Sequence, residues 1–555
     1  MPQLHFDQAE PYRFVDVAGR VRARRLRKVG LALLLLVSLG AVAAWHPLAS
    51  AASRSSVTII GPSAVSLDPA VQSDAGSAQV VSQLFESLTS VDSAATVQPA
   101  LAQSWDVESG GTKIVFHLRS GLTFSDGSPL KAGDVVTSWM RVLSPSNPSQ
   151  LAPLLDGVTG ARAYREGTGP ASAVGIRATS DTDLEVDMTS GIVDFPAIVS
   201  SSTLAVVPPG LDSNPSYLRP GTFVGSGAYI LSGLTDAETT LKANPHYWAG
   251  APAITTVHLL NEAAIDSGPC QEGATEVSQF EASTVDYAPV CSDDATWIAY
   301  DKKLGPSLRL EPAPMTEYYG FNTTRAPFND VHVRRAFELG IDWRRMVTLL
   351  GVPGMVSATS MVPVGVPGHS TTDFGPVFDL ATAKSELAAA GYANGVGFPK
   401  VTMITEGGGA LDAAIIAQLH DNLGIDISYR TEAGAPFSTK FLANPPDIWQ
   451  LAWVADYPGA NDFLGLLLGS GQPNNVGRWS NTDFDADITS ALAATDQATA
   501  QQAFDKAQAV VKDQAPVIPV DYASNYTLVA TGLLGALPNS QGLVRYAGMS
   551  WASGR

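Results

Sequence analysis

"KVTMITEGGGALDAAIIAQLHDNLGIDISYR", Lys400 to Arg430, carries the clearest architectural signal in a chain of 555 residues. Val401 and Met403 alternate as in a short strand, and Leu411, Ile415, Leu419 and Leu423 then recur at helical spacing until Gly424 stops them. Ile425, Ile427 and Tyr429 alternate again. Strand, helix and strand in this order predict a βαβ unit with parallel strands. Upstream, "LATAKSELAAAGY" places Leu380, Ala383, Leu387 and Ala390 on one helical face that ends at Gly391. Downstream, "DIWQLAWVA" (Asp447 to Ala455) reads as a further strand of the same sheet. Asp456 then falls just past a strand's C-terminal end, where open α/β sheets form ligand crevices. A solvated strand end or a cap is the competing reading of such an aspartate.

The N-terminal third reads as β-rich. "TKIVFHLRSGLTFSDGSPL" (Thr112 to Leu130) alternates Ile114, Phe116 and Leu118 and then turns, which predicts a hairpin followed by an amphipathic helix from about Ala132 to Leu143. "IRATSDTDLEVDM" (Ile176 to Met188) predicts a second hairpin turning at Ser180-Asp181. At this length about three compact units are expected.

Before them, Arg20 to Gly30 is a basic block and Leu31 to Trp45 an uncharged apolar run, the pattern of an export signal or an anchor. Ala49 and Ala51 satisfy a small-residue cleavage pattern. The chain after residue 51 holds 27 basic against 50 acidic residues, a formal charge of −23. That surface repels phosphate backbones and anionic headgroups, so no nucleic-acid partner is expected, and neutral or cationic ligands are favoured. Cys270 and Cys291 enclose 20 residues in a chain bound for an oxidising compartment. A disulfide between them would contribute roughly 3 kcal/mol, with two separate buried thiols as the alternative.

Catalytic patterns are absent from the sequence: there is no GxSxG elbow, HExxH helix or GxxxxGK[ST] loop, and no metal-ligand spacing among the eight histidines. Asp483, Asp485 and Asp487 begin like a calcium loop, but Ile488 stands where glycine is needed and Ala494 where glutamate is, which favours a helix N-terminus. No enzyme, cofactor or metal is expected. What remains is aromatic: Trp449, Trp453 and Tyr457 surround Asp456, and "EYYGFN" (Glu317 to Asn322) and "DYASNY" (Asp521 to Tyr526) add more. An aromatic cavity with one carboxylate suits a ligand that carries an amine.

Several segments together resemble the peptide-binding solute-binding proteins of ABC importers (family 5). They are "SLDPA" (Ser66 to Ala70), Leu101 to Pro145, "GSGAYIL", "NPHYW", "YYGFNTTRAPFNDVHVRRAFELGIDW" (Tyr318 to Trp343), "WVADYPGANDF" and "APVIPVDY" (Ala515 to Tyr522). The resemblance implies an α/β, two-lobed periplasmic-binding-protein-like fold (type II, cluster C) with an extra inserted domain. The implied segments are 1–51 signal or anchor, 52–74 first lobe, 75–190 inserted domain, 191–290 first lobe, 291–510 second α/β lobe and 511–555 first lobe. It further implies a monomer that closes on a peptide and presents it to permease subunits at the membrane, with Asp456 of the Trp453-Ala455-Asp456-Tyr457 motif pairing with the peptide's α-ammonium. Ser73, Asp74, Ala75 and Gly76 would line the same cleft, and Tyr319 and Tyr522 complete the expected site. Where relatives that read a short peptide's carboxylate carry arginine, this chain has Gln450, so no fixed peptide length is implied. Another solute (a metal chelate, haem or a sugar derivative) or a regulatory role in the envelope stays open on the same scaffold.

Overall fold

The computed structural model describes residues 54–552 except 63, 73, 148, 192–193, 262–274, 406–408, 433–440, 442 and 495. Ser55–Ala552 pack as one unit. Among the described residues eleven strands form one mixed sheet. In chain order they are β1 (Ser56–Gly61), β2 (Tyr229–Leu234), β3 (Glu238–Ala243), β4 (Thr256–Asn261), β5 (Tyr287–Pro289), β6 (Leu308–Phe321), β7 (Val356–Ser357), β8 (Thr402–Thr405), β9 (Ser428–Thr431), β10 (Ile448–Val454) and β11 (Val517–Val529). Their spatial order is β9-β8-β10-β6-β11-β5-β1-β4-β3-β2, with β7 on β11.

The two long strands explain this continuity. β6 pairs with β11 from Leu308↔Leu528 to Pro312↔Ser524, and again from Thr316↔Tyr522 to Gly320↔Val517, with the register broken between. Pro312 and Pro314 supply no N–H to a ladder, so pairing lapses there and the sheet divides into two halves that share both strands. One half carries β5, β1, β4, β3 and β2, and the other β10, β8 and β9.

The expected βαβ unit is present. β8 runs parallel to β9 from Thr402↔Ser428 to Thr405↔Thr431 and parallel to β10 at Met403↔Ile448. The helix Ala410–Gln418 joins them, and its last turn, Leu419–Leu423, widens before Gly424 closes it at φ 70°. Ile415, Leu419 and Leu423 lie in one core with Val333, Leu387 and Met403. The second strand begins later than expected, because Ile425 is spent in that core and Ser428–Thr431 forms an exposed edge.

A separate antiparallel sheet orders Ala102–Glu108, Lys113–Leu118, Asp183–Asp187 and Ile176–Ala178. The hairpin at Ser180-Asp181 forms as expected. Within Thr112–Leu130 a short hairpin closes around Asp126, with Thr123 bridged antiparallel to Pro129 and the Leu130 N–H donating to the Leu122 carbonyl at 3.0 Å, but Lys113–Leu118 takes no part in it and pairs instead with Ala102–Glu108 upstream and Asp183–Asp187 downstream. Both neighbours alternate apolar residues in phase with Ile114 and Phe116, which the Gly121 turn cannot offer. The helix Ala132–Val142 packs on this sheet through Trp139, whose indole N–H donates to the Leu204 carbonyl at 3.0 Å.

Packing departs from the expected segment edges. The helix Ala75–Leu84 buries Val80, Val81 and Leu84 with Val57, Ile59 and Leu259 of the first lobe, not with the inserted domain. Conversely Phe195, Val199, Leu204 and Val206 join the core of Phe116 and Trp139, beyond the expected edge at 190. Val517–Tyr522, expected in the last first-lobe segment, pairs within the α/β half. Cys291 is buried ahead of the helix Ser292–Ile298, whereas Cys270, and with it the expected bridge, lies outside the described residues. So does the N-terminal apolar run; among the described residues no helix is long and apolar enough to cross a membrane.

Two consequences are measurable. A Cβ on Gly320 would lie 2.4 Å from the Trp449 indole. Gly320→Ala is therefore expected to destabilise the chain by about 1–3 kcal/mol in denaturant titrations. Asp521 is fully buried beside Glu317, its cross-strand partner, and neither carboxylate oxygen has a hydrogen bond. Burial, then the Glu317 charge, pushes its pKa up to about 8. An acid whose folded pKa is raised stabilises below that value and loses this as pH rises through it. Melting temperature is expected to fall by a few degrees from pH 7 to 9.5, and Asp521→Asn to flatten that slope.

Candidate functional site

Asp456 is positioned by its main chain. β10 runs antiparallel to β6 as far as Val454↔Met315, and the Ala455 N–H still donates to the Pro314 carbonyl at 3.0 Å. The turn Tyr457-Pro458-Gly459 then reverses the chain. A Cβ on Gly459 would lie 2.5 Å from the Tyr457 ring, so this close return requires glycine. The returning turn Ala460–Phe463 brings Asp462 back under the strand end. One oxygen of its fully buried carboxylate accepts from the Trp453 indole N–H at 3.1 Å and from the Asp456 N–H at 3.0 Å. On the other side, Gln541 Nε2 donates to the Asp456 carbonyl at 2.8 Å.

With both main-chain groups held, the Asp456 carboxylate has no hydrogen bond and no lysine or arginine partner among the described residues. It keeps part of its surface open, yet burial pushes its pKa up to about 7. Asp462 is also raised well above the usual carboxylate range, first by burial and then by the Asp456 charge, and its second oxygen has no partner among the described residues. Two adjacent carboxyls in a low-dielectric site cannot both ionise without a cation. The arrangement is primed for positive charge.

The other expected residues divide. Trp453 is half-buried beside Asp456, Ala455 is buried with Ala460 and Phe463, and Tyr457 is buried against the core of the inserted domain. Tyr522 lies on the sheet near Trp453, each pairing with Thr316, but its hydroxyl is engaged: it accepts from Ser360 N–H at 2.9 Å and holds the Ser360 and Val362 carbonyls at 3.0 and 3.1 Å. Tyr522 therefore braces a loop. Tyr319 does not join the group, because successive strand residues face opposite ways. Its ring packs at a tilt against Trp343, centroids 5.3 Å apart, and its hydroxyl donates to Asp412 at 2.5 Å, within the core of the α/β half.

Asp74 caps the helix Ala75–Leu84, accepting from the Ser77 N–H at 2.8 Å and hydroxyl at 2.6 Å. Ala75 is exposed and Gly76 buried in its first turn, while Ser73 lies outside the described residues. This helix reaches Asp456 indirectly. Gln79 bonds both main-chain groups of Val544, three residues from Gln541. Asp462 and Gln541 are the positions that the sequence reading missed. Asp462 had a signal, since the Pro-Gly turn returns the chain onto the strand end; Gln541, 85 residues away, had none.

Comparisons with known proteins identify the family. The sequence profile for "Bacterial extracellular solute-binding proteins, family 5 Middle" matches residues 96–475. The probable deoxycholate-binding periplasmic protein YgiS of Escherichia coli (strain K12) is 31% identical over 474 residues, 82% of this chain and 85% of that protein. The periplasmic oligopeptide-binding protein OppA of the same organism is 26% identical, over 84% of this chain and 87% of that protein. The solved structure of the Escherichia coli murein tripeptide binding protein MppA superposes with a TM-score of 0.80 at 23% identity, covering 90% of this chain and 99% of that one. The fold is thus the two-lobed α/β binding-protein fold with an inserted domain, and the chain belongs to the bacterial extracellular solute-binding proteins of family 5.

Proposed function

We propose that this protein captures peptides outside the cytoplasm and delivers them to the permease of an ABC importer, without chemistry of its own. The observation that carries the reading is the uncompensated Asp456 carboxylate, fixed at the end of β10 with its main chain tied on both sides. A peptide's α-ammonium supplies the missing cation. In a water-poor site that pair is far stronger than in solvent, although part of the gain is offset by desolvating both charges. Trp453, Ala455 and Tyr457 wall the group, and the peptide's main chain can be held as an added strand with side chains in tolerant pockets. Asp74, Ala75 and Gly76 approach from the helix that Gln79 ties to the Gln541 segment. Tyr522 acts through the loop it braces, and the proposal gives Tyr319 no contact with ligand.

A second reading has one observation in its favour, the 31% identity to a protein named for deoxycholate. Deoxycholate is an anion, and Asp456 with Asp462 would repel its carboxylate. The peptide reading is therefore preferred on charge.

Calorimetric titration separates the two. Asp456→Asn is expected to raise Kd for a free-amine tripeptide roughly 30-fold or more and to leave the weaker binding of its N-acetyl form nearly unchanged. Equal losses for both peptides, or tighter binding of deoxycholate than of any free-amine peptide, would overturn the assignment. Peptide affinity is also expected to peak between about pH 7 and 8. Below pH 7 Asp456 takes up a proton and affinity falls about tenfold per unit; above about pH 8 the peptide's own ammonium deprotonates. In Asp456→Asn the acid limb should disappear.

A further inference from the structure

We propose a second ligand site, separate from Asp456: a cavity of about 260 Å3, where Val97 and Pro196 face Pro458, Leu492 and Phe504, takes a small hydrophobic amine on the carboxylate of Asp194. It goes beyond the peptide reading and does not depend on it, since Asp456 does not line this cavity.

Asp194 begins the short turn Phe195–Ile198, where its carbonyl accepts from the Ala197 and Ile198 N–H groups at 2.8 and 2.9 Å. Its carboxylate makes no capping bond and has no hydrogen-bond or ion-pair partner among the described residues. Protein surrounds it closely enough that desolvation, the sole cause, raises its pKa. Nearby lies the buried Tyr457 hydroxyl. Burial, then the charges of Asp462 and Asp194, push that phenol's pKa upward. A largely apolar wall, with Gln497 and Gln501 as its other polar side chains, thus carries one carboxylate with no cation beside it among the described residues.

Such a wall selects its ligand chemically. An anion is repelled, and a neutral hydrocarbon would leave the acid enclosed and unpaired. A molecule with an apolar body and one ammonium satisfies both parts of the wall. An apolar protein cavity of about 150 Å3 holds benzene, so 260 Å3 accommodates a single ring with a short aminoalkyl arm. The walls come from the inserted domain at Val97 and Asp194 and from the α/β half at Pro458, Leu492 and Phe504, so an occupant bridges the two.

The probe is 2-phenylethylamine, titrated calorimetrically into the full chain at pH 7.5, with ethylbenzene and 3-phenylpropionate as the neutral and anionic comparators. One saturable site is expected for the amine and none for the comparators. Asp194→Asn should weaken the amine at least tenfold, and Ala500→Phe, which places a ring in the cavity from the helix Gln497–Gln514, should abolish binding. Asp456→Asn should leave it unchanged, so a failure here is distinct from a failure of the peptide assignment. The proposal is overturned if no saturable binding occurs, if ethylbenzene binds as well as the amine, or if Asp194→Asn or Ala500→Phe has no effect. Loss of the amine in Asp456→Asn would overturn it too, by placing the probe at the other carboxylate.

Discussion

The pairing of β6 with β11 on both sides of the Pro312–Pro314 break is the constraint on which the rest of the structure depends. Each strand is shared by the two halves of the sheet, and the break lies where two prolines remove ladder donors. Apart from Asp462 and Gln541, what positions Asp456 is referred to this seam. β10 takes its register from β6, its last main-chain bond is to Pro314 in the break itself, and Tyr522 of β11 braces the loop beside it. A rearrangement of one half against the other would turn on few bonds here, because there are few to break.

The site's electrostatics follow from how Asp462 is used. A buried carboxylate is costly unless it is hydrogen-bonded, and Asp462 accepts two bonds through one oxygen. Those bonds hold the Trp453 indole and the Asp456 main chain, so the group that orients the site is also a second acid within it. Asp456 is then left with an open carboxylate, a raised pKa and no cation among the described residues. Removing Asp462 would relieve the charge and lose the geometry together. An unfavourable acid pair thus sits at the end of a strand without a salt bridge among the described residues.

Much of the α/β half was legible because its periodicities are strong. Ile415, Leu419 and Leu423 cannot form one stripe except on a helix, and the glycine after them stops it. The hairpin expected after Ile114 and Phe116 closes only at Thr123–Pro129 and leaves their own strand paired elsewhere, because alternation says that a strand has one buried face and not which strand lies beside it. Tyr319 lies apart from the Asp456 group for a related reason. In a run of aromatic residues the two faces of a strand look alike in composition, and only the pairing Tyr318↔Leu451 and Tyr319↔Gln450 tells which ring points toward Trp453 and which toward Trp343.

Local order therefore determined the elements, the βαβ unit and the place of Asp456 past a strand end, because these depend on side-chain period and turn chemistry within some twenty residues. The run Trp453 to Phe463 even contained both carboxylates of the site. Tertiary structure alone decided that Gln541 would hold the Asp456 carbonyl, that Asp194 would come near Tyr457, and that Asp521 would lie buried beside Glu317. Those contacts join positions far apart in the chain. They arise from strand register and the meeting of separately formed cores, and neither leaves a periodic trace in the residues that make them.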